Sequence, residues 1–248
     1  HAARPVFGVV WLGGFLAVAA LFVGSALLLL ALVEPRRLAS DPDASPARPL
    51  AALLRQPNFL VAVLAGVVGQ GIMTFIMTAT PVSMHVVDGH SMADTSGVIR
   101  AHVLAMYAPS LASALLIGWL GIRRLMGIGV VAMLVTVVIA LQGHAYLHYW
   151  WALVLLGIGW NFLFVGGTSL LMQSYLPAER FRSQAFNDFA VFGVAATGSL
   201  LAGSVVVRFG WSAVLWASVP VLVLMALALA WLVFGSRGRA AEAPAATS

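Results

Sequence analysis

F-L-V-A-V-L-A-G-V-V-G-Q-G-I-M-T-F-I-M-T-A-T-P-V, from Phe59 to Val82, contains no charged side chain. A strand in a soluble sheet is usually five or six residues long, and a surface helix shows one clearly polar face. This stretch is too long for the first and too apolar for the second. Wound as a helix at 1.5 Å per residue it spans about 36 Å, enough to cross a hydrocarbon layer of about 30 Å. Six further runs share its character, near Val9–Val33, Ile99–Leu120, Ile128–Leu141, Tyr149–Met172, Ala185–Val207 and Ser212–Phe234. The run from Ile128 is short, and the reading lets it borrow Leu125 to Gly127. Membrane barrel strands would be about ten residues long and alternate in polarity. These runs do neither, so the fold class is an all-α membrane protein with seven transmembrane helices, each satisfying its own backbone hydrogen bonds in lipid.

Composition agrees. Apolar residues make up 62% of the 248 residues and charged ones 8%, with a mean hydropathy of +1.01. A soluble domain carries about 25% charged residues, so a water-soluble enzyme or nucleic-acid binder is excluded and no nucleic-acid partner is expected. The net charge of +5 is better read as membrane topology. All 13 basic residues are arginines, and ten of them fall in alternate connections: Arg36, Arg37, Arg48 and Arg55; Arg123 and Arg124; Arg180 and Arg182; Arg237 and Arg239. The other side holds Arg4, Arg100 and Arg208. The positive-inside bias then puts the start outside and the C-terminus in the cytoplasm. Tyr146, Tyr149, Trp150 and Trp151 cluster at one predicted outer boundary, as an aromatic belt should.

The chain is read as residues 1–33, one helix; 34–58, a Pro- and Arg-containing cytoplasmic linker; 59–234, a six-helix bundle; and 235–248, a disordered cytoplasmic tail. It opens on His1 in apolar sequence, so the expectation is a fragment of a longer polypeptide.

The chemistry of the chain narrows the choices. It has no lysine for a retinal Schiff base and no cysteine for a disulfide or a thiolate metal site. No H-E-x-x-H helix and no G-x-S-x-G elbow occurs. His144 and His148, and the group His85, Asp88 and His90, are better read as polar outer turns than as metal ligands. No catalytic residue, metal or cofactor is expected. Six spans after a long linker are the layout of the second bundle of a transporter built from two six-helix halves.

Two stretches carry a family resemblance: I-R-A-H-V-L-A-M-Y-A-P-S from Ile99 to Ser110, and G-W-N-F-L-F-V-G-G-T-S-L-L from Gly159 to Leu171, followed by Y-L-P-A-E-R-F-R-S-Q-A-F-N-D-F up to Phe189. With the architecture, they resemble the C-terminal portion of a major facilitator superfamily transporter: helix six, the central loop and helices seven to twelve. The branch is bacterial, and some of its members are assigned to riboflavin uptake. Gly118, Leu120, Gly121 and Arg123 match the superfamily's G-x-L-x-x-R loop motif, but Ile122 stands where an acidic residue is expected. The resemblance implies a non-enzyme in a bacterial inner membrane that moves a small organic solute by alternating access, with H+ as the coupling ion. Its partners would be the lipid bilayer and the missing N-terminal half of the same polypeptide. The alternatives are an exporter of drugs or metabolites with the same fold and a non-transporting structural or interaction protein.

Polar groups at membrane depth nominate the site. Gln70, Thr74 and Met77 fall at i, i+4 and i+7, a stripe that Pro81 continues; they form either a cavity wall or helix–helix hydrogen bonds. Asn161 sits between Trp160 and Phe162 with Gly157, Gly159, Gly166 and Gly167 nearby, an arrangement suited to a planar heteroaromatic solute or to close packing. Arg100 could capture an anion at the outer mouth, or snorkel, or pair with Asp88 or Asp94. His102 and Met106 share a face, and His102 is a candidate proton carrier. Asp188 is expected either to join Glu179 with Arg180 or Arg182 in an inner gate, or simply to favour a helix N-terminus. The small residues Ala195, Ser199 and Gly203 suit close helix contact.

Overall fold

The computed structural model describes residues 12–31 and 47–241. Residues 1–11, residues 34–46 of the expected linker and residues 242–248 of the expected tail lie outside the described residues. Two compact units divide the chain between Ser45 and Pro46. The first contains α1 (Leu12–Ala31), an apolar helix whose side chains from Phe15 to Leu30 are all exposed.

The second unit opens with the single turn α2 (Leu50–Leu53), anchored by the fully buried Leu53. Pro57 then starts α3 (Pro57–Pro81) at its first helical position, where a missing N–H costs nothing. Past Pro81 the chain continues as a π-helical turn over Val82–Val87, ended by Gly89 at φ +71°. The third expected span is longer at its start, because Ser91 caps α4 (Met92–Tyr107) by accepting the Asp94 N–H at 3.1 Å. Asp94 is therefore helical rather than in a loop, and Arg100 lies within the helix as expected. Pro109, with no N–H to donate, breaks this span into α4, a 3₁₀ stretch at Ala108–Ala112 and α5 (Ser113–Leu120).

Gly121 alone joins α5 to α6 (Ile122–Leu141), at φ +75°. The expected start, with Leu125 to Gly127 borrowed, falls three residues late, since Arg123 and Arg124 read as loop residues but lie in the first helical turn. Next come α7 (Tyr146–Met172), α8 (Arg180–Phe209), closed by Gly210 at φ +83°, and α9 (Trp211–Ala241). The helix of α9 carries past 235 to Ala241. Six of these segments are long and apolar enough to cross a membrane: Pro57–Val87, Met92–Leu120, Ile122–Leu141, Tyr146–Met172, Pro177–Phe209 and Trp211–Gly235. This is an all-helical, multi-pass membrane protein, with no strand among the described residues.

Within the bundle α7 packs against α3, α4 and α6, while α3 also packs on α8 and α9. Glycine permits the tightest crossing: a Cβ on Gly159 would stand 2.8 Å from the Gly129 carbonyl oxygen, and one on Gly129 would stand 2.9 Å from that of Gly159. Small residues join α3 to α8 too, with Ala195 of the expected stripe buried and Ser199 half-buried. Contact is made where Gly66 and Gly71 meet Val191 and Val194, whereas nothing lies within 4 Å of a Cβ on Gly203.

Candidate functional site

Three polar layers cross the bundle along α7. The middle one lies halfway along the helix. There the Trp160 indole N–H donates to Gln70 Oε1 at 2.8 Å, and the Gln70 amide donates to Thr74 Oγ1 at 3.4 Å. Trp160 stacks on Phe164 with centroids 5.0 Å apart, and Tyr107 meets it edge-on at 6.1 Å. Phe164 and Tyr107 are exposed, and Gln70, Thr74 and Met77 are half-buried. The result is an aromatic face with a polar amide and a hydroxyl, carried by α3, α4 and α7.

His102 and Asn161 behave differently, since both are sealed inside. The Asn161 amide donates to the Met106 carbonyl at 2.7 Å and to Ser110 Oγ at 2.6 Å. It therefore bonds to the segment that Pro109 disrupts. His102 Nδ1 lies 2.7 Å from the Leu153 carbonyl, so that nitrogen carries the proton, while Nε2 is buried without a partner. Met106 is buried in the same contact. The sequence nominated Gln70, Thr74, Trp160 and Asn161 but missed Phe164, Tyr107 and Ser110. Phe164, at i+4 from Trp160, was open to the same stripe argument.

At the arginine-rich end, Glu179 is fully buried and holds Arg48: it accepts from Nε at 2.8 Å, from the terminal guanidinium nitrogen at 2.7 Å and from the Arg48 backbone N–H at 2.8 Å. The Leu176 N–H adds a fourth bond at 2.9 Å, and Arg182 donates to the Arg48 carbonyl. The hydrogen bond to Glu179 raises the Arg48 guanidinium pKa above its ordinary value. The expected inner cluster thus forms around a different cation. Asp188 is exposed and, among the described residues, takes a single bond, from the neighbouring Asn187 amide at 3.1 Å. It also lies two turns inside α8, because the helix begins at Arg180 rather than at Ala185, so it is not an N-terminal carboxylate. Arg180 is exposed and Arg123 half-buried.

At the opposite end, the buried Tyr149 hydroxyl lies 2.6 Å from Ser83 Oγ and donates to Asp88 Oδ2 at 2.6 Å, while His144 Nδ1 reaches the same carboxylate oxygen at 2.8 Å. His90 bonds to the His144 carbonyl at 2.8 Å. Arg100 is exposed and donates to the Ser96 carbonyl of its own helix at 3.2 Å, not to Asp88 or Asp94. Among the described residues no group of three or more His, Asp or Glu could hold a metal ion.

A multi-pass helical bundle with a polar, aromatic face at membrane depth defines a helical membrane protein. The relatives agree. The chain is 40% identical over 233 residues to the riboflavin transporter RfnT of Brucella anthropi, covering 93% of this chain and 58% of that protein. It is 35% identical over 161 residues to YddS and 33% identical over 207 residues to YdeG, both uncharacterized MFS-type transporters of Bacillus subtilis. These matches cover 62% and 78% of the chain, and 36% and 48% of the two relatives. The chain belongs to the major facilitator superfamily, and it spans about half the length of the curated relatives it matches. No family model matches it, and no solved structure does.

Proposed function

We propose that this chain is the C-terminal portion of a secondary transporter: a last helix of an N-terminal bundle, a cytoplasmic linker and a six-helix bundle. The protein moves a small organic solute across a bacterial inner membrane by alternating access. Its C-terminus is cytoplasmic, and the proton gradient drives transport. The Gln70–Trp160 pair carries this reading. Halfway through an apolar helix it offers an amide to hydrogen-bond and, with Phe164 and Tyr107, rings on which to stack a planar heteroaromatic solute. Riboflavin, the solute in the Brucella relative's name, has that chemistry and is the first candidate. His102 supports proton coupling: it is a titratable group inside the bundle, with one ring nitrogen unpartnered. Glu179 with Arg48 would then form the inner latch.

The complete burial of His102 and Asn161 favours a second reading, a non-transporting membrane protein whose polar groups only join helices. One experiment separates the two. Expressed at full length in a riboflavin auxotroph, the protein should support riboflavin uptake. Gln70→Ala and Trp160→Ala, which remove a hydrogen bond and a stacking surface, should each lower uptake about tenfold at equal membrane abundance. Uptake at background level for riboflavin and for a panel of other heteroaromatic solutes would reject the transporter reading. Full uptake by both variants would reject the site.

A further inference from the structure

The arginine-rich end of the bundle holds a feature the transport reading does not use. Between α6 and α9 an open cleft of about 770 Å³ runs from the membrane boundary inward, within the range of about 300–1,000 Å³ usual for ligand clefts. Arg123 and Arg124, in the first turn of α6, stand at its mouth beside Asn58 and Gln173. Among the described residues no carboxylate lines it, and the N-terminus of α6 adds its own partial positive charge. Deeper in, the walls are apolar, with Val131, Leu134, Leu229 and Phe234. Gly127 keeps the floor open, because a Cβ there would meet only Leu229, 3.7 Å away.

The surface around the cleft tells what fills it. Beyond Arg124, the exposed residues of α6 are Ile128, Val131, Val135 and Val138, and those of α9 include Trp216, Leu224, Leu227 and Trp231. Exposed α8 is apolar as well, with Phe189, Phe192 and Leu200, but Asp188, Thr197 and Ser204 interrupt it, and α4 shows Ser96 and Arg100 beside Val103 and Leu104. Beyond Arg124 the α6–α9 side is thus apolar surface of the kind hydrocarbon covers, with two guanidinium groups at its rim. We propose that this cleft seats one anionic phospholipid, its phosphodiester against Arg124 and within the field of Arg123, and an acyl chain along the apolar wall toward Leu134. A zwitterionic lipid would bring a further cation beside Arg124 and the positive end of α6, with no carboxylate among the described lining residues to receive it. Basic pockets between transmembrane helices favour anionic headgroups for this reason.

The test uses the purified full-length protein in mild detergent, titrated with phosphatidylglycerol or phosphatidylcholine and read by native mass spectrometry, with glycerol 3-phosphate as the headgroup-only competitor. Wild type should retain one phosphatidylglycerol in preference to phosphatidylcholine. Arg124→Gln should weaken retention about five-fold, the factor expected for one arginine near an anionic surface. Gly127→Leu, which fills the floor and favours helix, should weaken it as well, whereas Arg208→Gln at the opposite end should not. Equal retention of the two lipids would overturn the proposal, as would Arg124→Gln behaving like wild type or Arg208→Gln acting as strongly as Arg124→Gln. Displacement by equimolar glycerol 3-phosphate, or unchanged retention in Gly127→Leu, would show that no acyl chain is seated and would overturn it too.

Discussion

Asn161 is the residue whose removal best separates scaffold from site. Its amide makes two interhelical bonds, at 2.7 Å to the Met106 carbonyl and 2.6 Å to Ser110 Oγ, with the side chain sealed from outside. Polar contacts between membrane helices average about 0.6 kcal/mol and reach about 1.7. Asn161→Ala should therefore destabilise the folded protein by about 1–3 kcal/mol, or several degrees in Tm at about 2–4 °C per kcal/mol. Ser110→Ala should cost less, since Met106 keeps its donor. The double variant should fall short of the sum of the two by a few tenths of a kcal/mol or more, because the residues share one bond. Tm measured on detergent-solubilised full-length protein, alongside uptake at matched abundance, reads both quantities. Uptake should fall only as far as the folded fraction does. If Asn161→Ala abolished uptake with Tm unchanged, Asn161 would be a solute contact, and its assignment as a pin between α4 and α7 would be wrong.

At the α6–α7 crossing, Gly159→Ala should lower stability by about 1–3 kcal/mol through overpacking, because the new methyl would meet the Gly129 carbonyl oxygen at 2.8 Å; thermal unfolding checks it. Tyr149→Phe should cost about 1–3 kcal/mol by stranding the buried Ser83 hydroxyl, and Ser83→Ala in the same background should add little. Glu179→Gln should release the Arg48 segment, seen as faster deuterium uptake over residues 47–56 with α7 unaffected; unchanged uptake there would remove Glu179 as the latch. Because the chain has no cysteine, single cysteines report topology directly. At the exposed positions Ser96 and Ala178, an impermeant maleimide on intact cells should label the first and spare the second, and the opposite result would invert the orientation.

The spans were legible because lipid demands long apolar helices, a constraint that acts residue by residue. Their ends were less so. Arg123 and Arg124 looked like loop residues by charge alone, yet Gly121 at positive φ supplies the whole turn and lets α6 start at once. Met92 to Val98 looked like loop for the same reason, until the Ser91 cap placed them in α4. In the candidate site, the stripe of Gln70 and Thr74 could be read from helical period, and their bond to Trp160 could not, because it crosses between helices ninety residues apart. The same holds for Glu179. Its neighbours in sequence, Arg180 and Arg182, were the natural partners, but the cation that reaches it lies 131 positions upstream, where no local pattern points.

The distribution of these contacts bears on how such a bundle could move. Along α7, polar bonds or close glycine contacts fix the helix to its neighbours at both ends and in the middle: Tyr149 to Ser83, His102 to Leu153, Asn161 to Ser110, and Glu179, just past the helix end, to Arg48. Interiors packed this closely transmit displacement rather than absorb it. α7 with α3, α4 and α6 should therefore travel as one body. The backbone is discontinuous at two of these contacts, the 3₁₀ stretch around Pro109 that holds Ser110 and the π-helical turn after Pro81 that holds Ser83, and departures from regular helix of this kind are where bends concentrate. The first lies on the helix that contributes Tyr107 to the aromatic face, one residue before the break. A bend at Pro109 would have to break the Asn161 bonds to the Met106 carbonyl and Ser110 Oγ, which flank it, so while those bonds hold Tyr107 keeps its place against Trp160 and the aromatic side of the candidate site keeps its shape.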